Sequence, residues 1–453
     1  MSYRTINNTS KIGANAVFKV FLFLYKDMGI VFWICTISVV CILAGVIYSK
    51  PYLGIVFVTI SIPFEGCMIA DMISIYPIEV VLAIVVFVLI SKSILDKYNS
   101  FGNTRLLYCC IPFVLYIMLS SIKSVDLPST AKEIVRWIEL LLVYYLTINL
   151  INDKKKMSVI LYSMFFTVVI VSVLEIIHYL SMGYRATLIF GNPNPLAGYI
   201  NLIIPVIFGM FMSSTFFRER VTLVVVAVTS IMAWLMTFSK TAWLSLLLTV
   251  ILVFFLTKSK KRVVILLSVL SAVFTVFTII LLFLNIKGNF MFNSSLALLS
   301  LEERAKCYLI GFNMIKDNLI SGIGVGNWHS LIVEYVKENA ASIHIDIRRL
   351  LVVTNIHNLY LQIFVEMGIV GLSSFVFWLV CIIKYLMCSL KVLESSKHYT
   401  LFVGLVGGII VYLFNNISEV LTVHGIHLQW GIILGLAVVL IQFRDSETCP
   451  KTV

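Results

Sequence analysis

Long apolar runs alternate with short polar breaks from residue 28 to residue 442, and most of the runs approach the ~20 residues that a helix needs to cross ~30 Å of hydrocarbon. Read by this pattern, the spans lie near 28–48, 52–66, 77–95, 106–122, 133–151, 157–180, 195–213, 221–237, 241–257, 263–285, 358–384, 399–416 and 424–442. The fold expected is all-α, a polytopic integral membrane protein. The stretch 28–66 reads as one full crossing plus a partial or re-entrant helix, which makes about 12 transmembrane helices rather than 13. Residues 1–27 are polar and lack an A-x-A-like cleavage site, so the first run is expected to remain as an anchor.

One interval breaks the rhythm. Residues 286–356 hold no span, far more chain than an ordinary connection uses, and such a loop usually has a task. Within it "EERAKCYLIGFNMIKDN" has helical spacing and runs into the glycine turn "GIGVGNW". The expected organisation is therefore 1–285 as N-terminal transmembrane helices, 286–356 as an external loop carrying short amphipathic helices, and 357–453 as C-terminal transmembrane helices.

Composition agrees: 60% of the 453 residues are hydrophobic and 12% charged, too little polar surface for a soluble fold. The excess of 34 Lys and Arg over 22 Asp and Glu, +12, collects in short loops such as "NDKKK", "FRER", "KSKKR" and "KVLESSK". That is a topology signal and not a nucleic-acid stripe. It assigns those loops to the cytoplasm, and the loops holding Asp71, Asp126, Arg185, Lys240 and Glu419 to the outer face. The nine cysteines form no CxxC pair and fall mostly inside spans, which argues against a disulfide framework or a zinc site.

Charges beside a bilayer are expensive, so the outward-facing ones draw attention. Arg185, Lys240, Arg304, Arg348, Arg349 and His357 form a cationic set suited to phosphate oxygens, with interfacial snorkelling as the plain alternative. His357 opens a span in "HNLYLQIFVEMGIVGL", where a neutral imidazole can take a proton from a hydroxyl near neutral pH. Glu366, nine residues on, turns about 180° away and lies about 13 Å deeper on a helix, so it reads as a buried structural carboxylate bonded to another helix. Gly368 and Gly371 read as close-packing positions. Glu175 and His178, at i and i+3, are a second acid–base pair. No HExxH, GxSxG, P-loop or Asp-rich metal motif is present, and no cofactor is expected.

"HNLYLQIFVEMGIVG" resembles the H-[NSQ]-x9-G-x-x-[GTY] signature of O-antigen ligases, at the end of a long external loop where a span begins. "YRATLIFGNPNPLAGYINLIIP", "TFSKTAWLSLLL" and "ERAKCYLIGFNMIKDNLISGIGVGNW" are similar to other stretches of the same superfamily of O-antigen ligases and polymerases, so that the ligase-like region covers about 184–372. The resemblance implies a metal-independent, inverting glycosyltransferase of the bacterial inner membrane, with an undecaprenyl diphosphate-linked glycan as donor and a periplasmic active face. By position, Arg185, Lys240 and Arg304 would hold the diphosphate and His357 would be the base, with Asn358, Glu175, His178, Arg348 and Arg349 as acceptor-side or supporting residues. Where the family usually has Ser-Arg this chain has Ser239-Lys240, which keeps the charge and loses the bidentate fork. The resemblance implies an O-antigen ligase with lipid A–core as acceptor, or else a repeat-unit polymerase extending a growing polysaccharide. A lipid-linked sugar flippase would instead need charges near the bilayer midplane and paired broken helices.

Overall fold

The computed structural model describes residues 36–64, 76–96, 105–182, 185–257, 264, 275, 294–338, 355–422 and 425–448, and every element among them is helical. In chain order these are α1 (Thr36–Ser49), α2 (Leu53–Ser61), α3 (Pro77–Leu95), α4 (Arg105–Ser120), α5 (Leu127–Leu150), α6 (Lys154–Met182), α7 (Pro193–Ser213), α8 (Phe217–Met236), α9 (Lys240–Leu256), α10 (Ser294–Asp317), α11 (Trp328–Glu338), α12 (Leu359–Leu393), α13 (Tyr399–Asn415) and α14 (Ile426–Thr448). Arg348, Arg349, the Asp71 loop and nearly all of the expected span 263–285 lie outside the described residues.

Seven helical stretches among the described residues are long and apolar enough to cross a membrane: Pro77–Leu95, Leu106–Lys123, Ile426–Arg444 and the whole of α6, α7, α8 and α12. The chain is a multi-pass membrane protein. Four apolar helices are shorter, among them Leu53–Phe64, whose last turn is 3₁₀. Over these residues it rises about 20 Å, against ~30 Å of hydrocarbon. α5 starts six residues before the run at 133, because Asp126 accepts a hydrogen bond from Ser129 N (3.2 Å) and Pro128 fits the first turn. Polar side chains Lys132, Glu133, Arg136 and Glu139 therefore ride on the first half of a helix whose second half is buried.

Two crossings fix the outer end of the bundle. α7 and α13 run antiparallel with their backbones almost touching: a Cβ on Gly404 would lie 2.6 Å from Pro205 O, and one on Gly209 would lie 2.8 Å from Gly404 Cα. Only glycine permits that approach, and it draws the end of α13 against the start of α7. α14 lies along α5 in parallel, with Gly431 against Leu140 and Gly435 against Thr147.

Outside the main core, α10 and α11 build a second small one. Cys307, Ile310, Met314, Trp328, Ile332 and Val336 are buried there against Ile356 and Val365, while Leu309 and Phe312 face outward. This is the amphipathic spacing read at 302–318, with the helix beginning earlier, at Ser294.

The junction of this layer with α12 corrects the reading of Gly368. α12 is interrupted at Gly368 (φ 63°, ψ −167°), a backbone region open essentially to glycine alone. In an unbroken helix Val365 O and Glu366 O would accept from Ile369 N and Val370 N. Here Ile323 N and Gly324 N take those carbonyls (3.0 and 2.9 Å), and Ile369 N and Val370 N turn to Leu319 O and Ile320 O (2.9 and 3.5 Å). The glycine loop is thus spliced into the helix, and these four backbone groups find their partners across the break. Gly371 does pack closely, against Tyr116 of α4 and Met367.

Candidate functional site

The short first segment of α12, residues 359–367, begins with a built N-terminus. Asn358 caps it by accepting Leu361 N (2.9 Å), and Leu359 N donates to Asn416 O (2.9 Å), tying it to the end of α13. His357, immediately before the cap, is held at φ 56°. Its N–H donates to Asn355 Oδ1 (3.0 Å) and its carbonyl accepts from the Tyr308 hydroxyl (3.4 Å). Positive φ is unfavourable for a non-glycine residue, and these bonds on both sides hold it there.

The imidazole meets a residue that the sequence marked only as topology. Glu419, in the turn after α13, is 7% exposed and sits at the centre of the cluster. Its Oε2 lies 3.4 Å from His357 Nδ1, while its Oε1 accepts from Arg304 Nη2 (2.6 Å) and from Asn194 Nδ2 (2.6 Å). A carboxylate can only accept, so in the neutral imidazole Nδ1 carries the proton toward it and Nε2 has the lone pair. Asn194 is positioned at the start of α7 by the α7–α13 crossing and by the Asn192 cap (Asn194 N to Asn192 Oδ1, 2.9 Å).

Arg185 stands in the loop between α6 and α7 and donates from Nε to Thr237 O (2.7 Å) in the α8–α9 turn. That bond leaves the outer guanidinium nitrogens for other work. Burial pushes this guanidinium below its ordinary pKa, with the Glu419 carboxylate opposing and Arg304 adding to the shift. The turn it grips contains Phe238 at φ 50°, the other non-glycine residue with positive φ among those described. Lys240 opens α9 just beyond, exposed and without an ion pair among the described residues. Two cations, Arg185 and Arg304, and one carboxylate meet here, a formal balance of 2 − 1 = +1, beside the His357 imidazole.

Glu175 and His178 are not hydrogen-bonded to each other. Glu175 is 0% exposed and accepts Leu188 N (3.0 Å) and Ile189 N (2.9 Å), so it shapes the loop that carries Arg185. His178 keeps a buried Nδ1 without a partner. Asn358 caps the helix through its Oδ1. Glu366 is buried, and its partners are Gly326 N (2.9 Å) in the glycine loop, Gln362 Nε2 (3.2 Å) on its own helix and the backbone of Trp328 at the start of α11. The loop "GIGVGNW" does cradle a carboxyl group, and it is the protein's own.

Glu419 and Asn194 were missed because nothing local marks them. The signal available was an acid in a loop poor in Lys and Arg, directly after an apolar span, where its burial demands a cationic partner. Residues 225–376 match a family model described as O-antigen ligase, a stretch that includes Lys240, Arg304 and His357 and leaves Arg185 and Glu419 outside it. No curated protein matches the chain.

Proposed function

We propose that this chain, whose residues 225–376 match the O-antigen ligase family model, is a membrane glycosyltransferase of the O-antigen ligase type. Its donor is a glycan on undecaprenyl diphosphate, its acceptor a hydroxyl of lipid A–core, and its active end faces the periplasm from the inner membrane. The observation that carries this reading is the convergence of Arg185, Arg304 and His357 on Glu419, with Lys240 opening the helix that follows the turn Arg185 grips.

The chemistry follows from the charges. Departure of a lipid diphosphate leaves negative charge on its oxygens, and a net cationic site fixed in place before reaction stabilises that charge without reorganising. Arg304 offers a planar fork and Arg185 its free outer nitrogens, whereas Lys240 supplies a point charge. On the acceptor side His357 Nε2 removes the hydroxyl proton as the oxygen attacks the anomeric carbon, and the carbon–oxygen bond to the diphosphate breaks with its electron pair leaving on the phosphate. Glu419 holds the ring through Nδ1 and stabilises the imidazolium that results. One displacement of this kind inverts the anomeric carbon, and it calls for no metal.

The test is a strain in which His357→Ala replaces the natural chain. We expect the protein in the membrane at normal abundance, long lipid-linked polymer accumulating, and none transferred to lipid A–core. Transfer at the normal rate would remove the base, and a single repeat unit on the acceptor would make the enzyme a polymerase.

A further inference from the structure

Glu419 meets His357 from a different part of the chain, so the two have to be held in register by something other than themselves. Asn416, the residue that follows α13, is buried and bonds to the chain beside each of them. Its backbone carbonyl accepts Leu359 N (2.9 Å), two residues beyond His357. Its side-chain Oδ1 accepts Leu421 N (2.9 Å), two residues beyond Glu419.

The surroundings make this a firm anchorage. Asn416 Nδ2 donates to Tyr412 O (2.8 Å), which also accepts Asn416 N (3.1 Å), so the amide plane is fixed from both ends. The Tyr412 ring stacks on Trp430 of α14, with 5.1 Å between centres, and its hydroxyl donates to Leu421 O (3.5 Å). Leu421 is thus held at its N–H and at its carbonyl. Its side chain fills the notch at Gly198 of α7, where a Cβ would lie 2.9 Å from Leu421 Cδ1. One turn before that notch stands Asn194, the donor to Glu419 Oε1. On the other flank Asn415 Oδ1 accepts from Ser245 Oγ of α9 and from Asn201 Nδ2 of α7 (3.4 Å), which ties the end of α13 to both helices.

Glu419 therefore rides on an arch with two feet. One foot is the end of α13, where Ile417 N and Ser418 N bond to Phe414 O (3.2 Å) and Asn415 O (3.1 Å), and the other is Leu421 on the Asn416 side chain. The contact at the top of the arch has little slack. Glu419 Oε2 lies 3.4 Å from His357 Nδ1, beyond the usual span of a hydrogen bond, so a small further shift parts the carboxylate from the ring. A displacement of about 1 Å can cost about 10²-fold in rate.

We propose that Asn416 is a positioning residue for glycan transfer, its side chain closing the arch that sets Glu419 against His357; the inference rests on the transfer reading above. The full chain in nanodiscs is assayed with purified lipid-linked donor and its acceptor, as Asn416→Ala, Asn416→Ser, Glu419→Gln and the Glu419→Gln combinations of the first two. Asn416→Ala is expected to lower kcat about tenfold or more with KM for the donor within about twofold, and Asn416→Ser, whose hydroxyl makes the weaker form of the same turn, to fall between it and the wild type. On the Glu419→Gln background, Asn416→Ala should cost less than about twofold more, because the contact it positions is already lost. The same tenfold loss on both backgrounds would leave Asn416 a packing residue and overturn the proposal. A wild-type kcat in Asn416→Ala while Glu419→Gln is impaired also overturns it. Should the alanine variant fail to reach the membrane, the serine variant carries the same comparison on the two backgrounds. Normal transfer by both Glu419→Gln and His357→Ala would instead refute the transfer reading, and this inference with it.

Discussion

Replacing Gly368 with Ala tests the splice between the glycine loop and α12. A Cβ there would lie 2.3 Å from Ile320 O, 2.5 Å from Ile320 C and 2.7 Å from Gly322 N, all backbone atoms that no rotamer change can move aside. The backbone angles alone cost an L-residue about 1–3 kcal/mol. Relief of the clash requires the loop to withdraw, which forfeits the four cross-bonds from Ile323, Gly324, Ile369 and Val370 at roughly 1 kcal/mol each. Because withdrawal relieves part of the strain, the combined penalty is on the order of 3–5 kcal/mol, enough to shift a docked loop toward the undocked state by 10²-fold or more. The spanning segments pack elsewhere, so Gly368→Ala should reach the membrane yet transfer glycan at least tenfold more slowly. Gly45→Ala is the control, since nothing lies within 4 Å of its added methyl. Measured by polymer transferred per molecule and by hydrogen exchange of residues 319–326, wild-type values for Gly368→Ala would refute the argument.

Three further outcomes follow. Glu419→Gln keeps the shape but loses the charge behind Nδ1, so kcat should fall by roughly 10²-fold with KM for the donor little changed; an unaltered kcat would separate Glu419 from the base. Arg304→Ala should reduce transfer more than Arg304→Lys, and equal activity in the two variants would argue against a diphosphate contact. Asp126 is held below the usual carboxylate range by hydrogen bonds from Ser330 and Ser129, so its folded pKa lies under its unfolded one. Its contribution is full above about pH 4 and fades as pH falls through the folded value. The start of α11 should then exchange faster in acid, and Asp126→Asn should abolish that pH dependence.

How much of this could be read from the chain depended on whether the signal was local. Apolar length is local, and the runs at 157–180, 195–213 and 399–416 reappear as α6, α7 and α13 within a few residues. Arg185, Arg304 and His357 could be singled out because a charge beside hydrocarbon needs a reason. Glu419 acts on a residue 62 positions away, through a crossing of α7 and α13 that depends on Gly209 and Gly404 touching. Gly368 was legible as a glycine and not as a break, since helix packing and positive φ place the same residue in a sequence. Glu175 looked like an acid–base partner because His178 is three residues away, yet its actual partners are backbone amides 13 and 14 positions on.

The nine residues between Asn358 and Gly368 form a spacer of fixed length, counted in helical turns. One end is set by the Asn358 cap and the other by the splice, with Glu366 docked on Gly326 just before it. Adding a single residue would turn one end about 100° against the other, so either the base leaves Glu419 or Glu366 leaves its amide. The interval in H-[NSQ]-x9-G is therefore a matter of angular phase, and in this chain it should tolerate changes of side chain far better than a change in number.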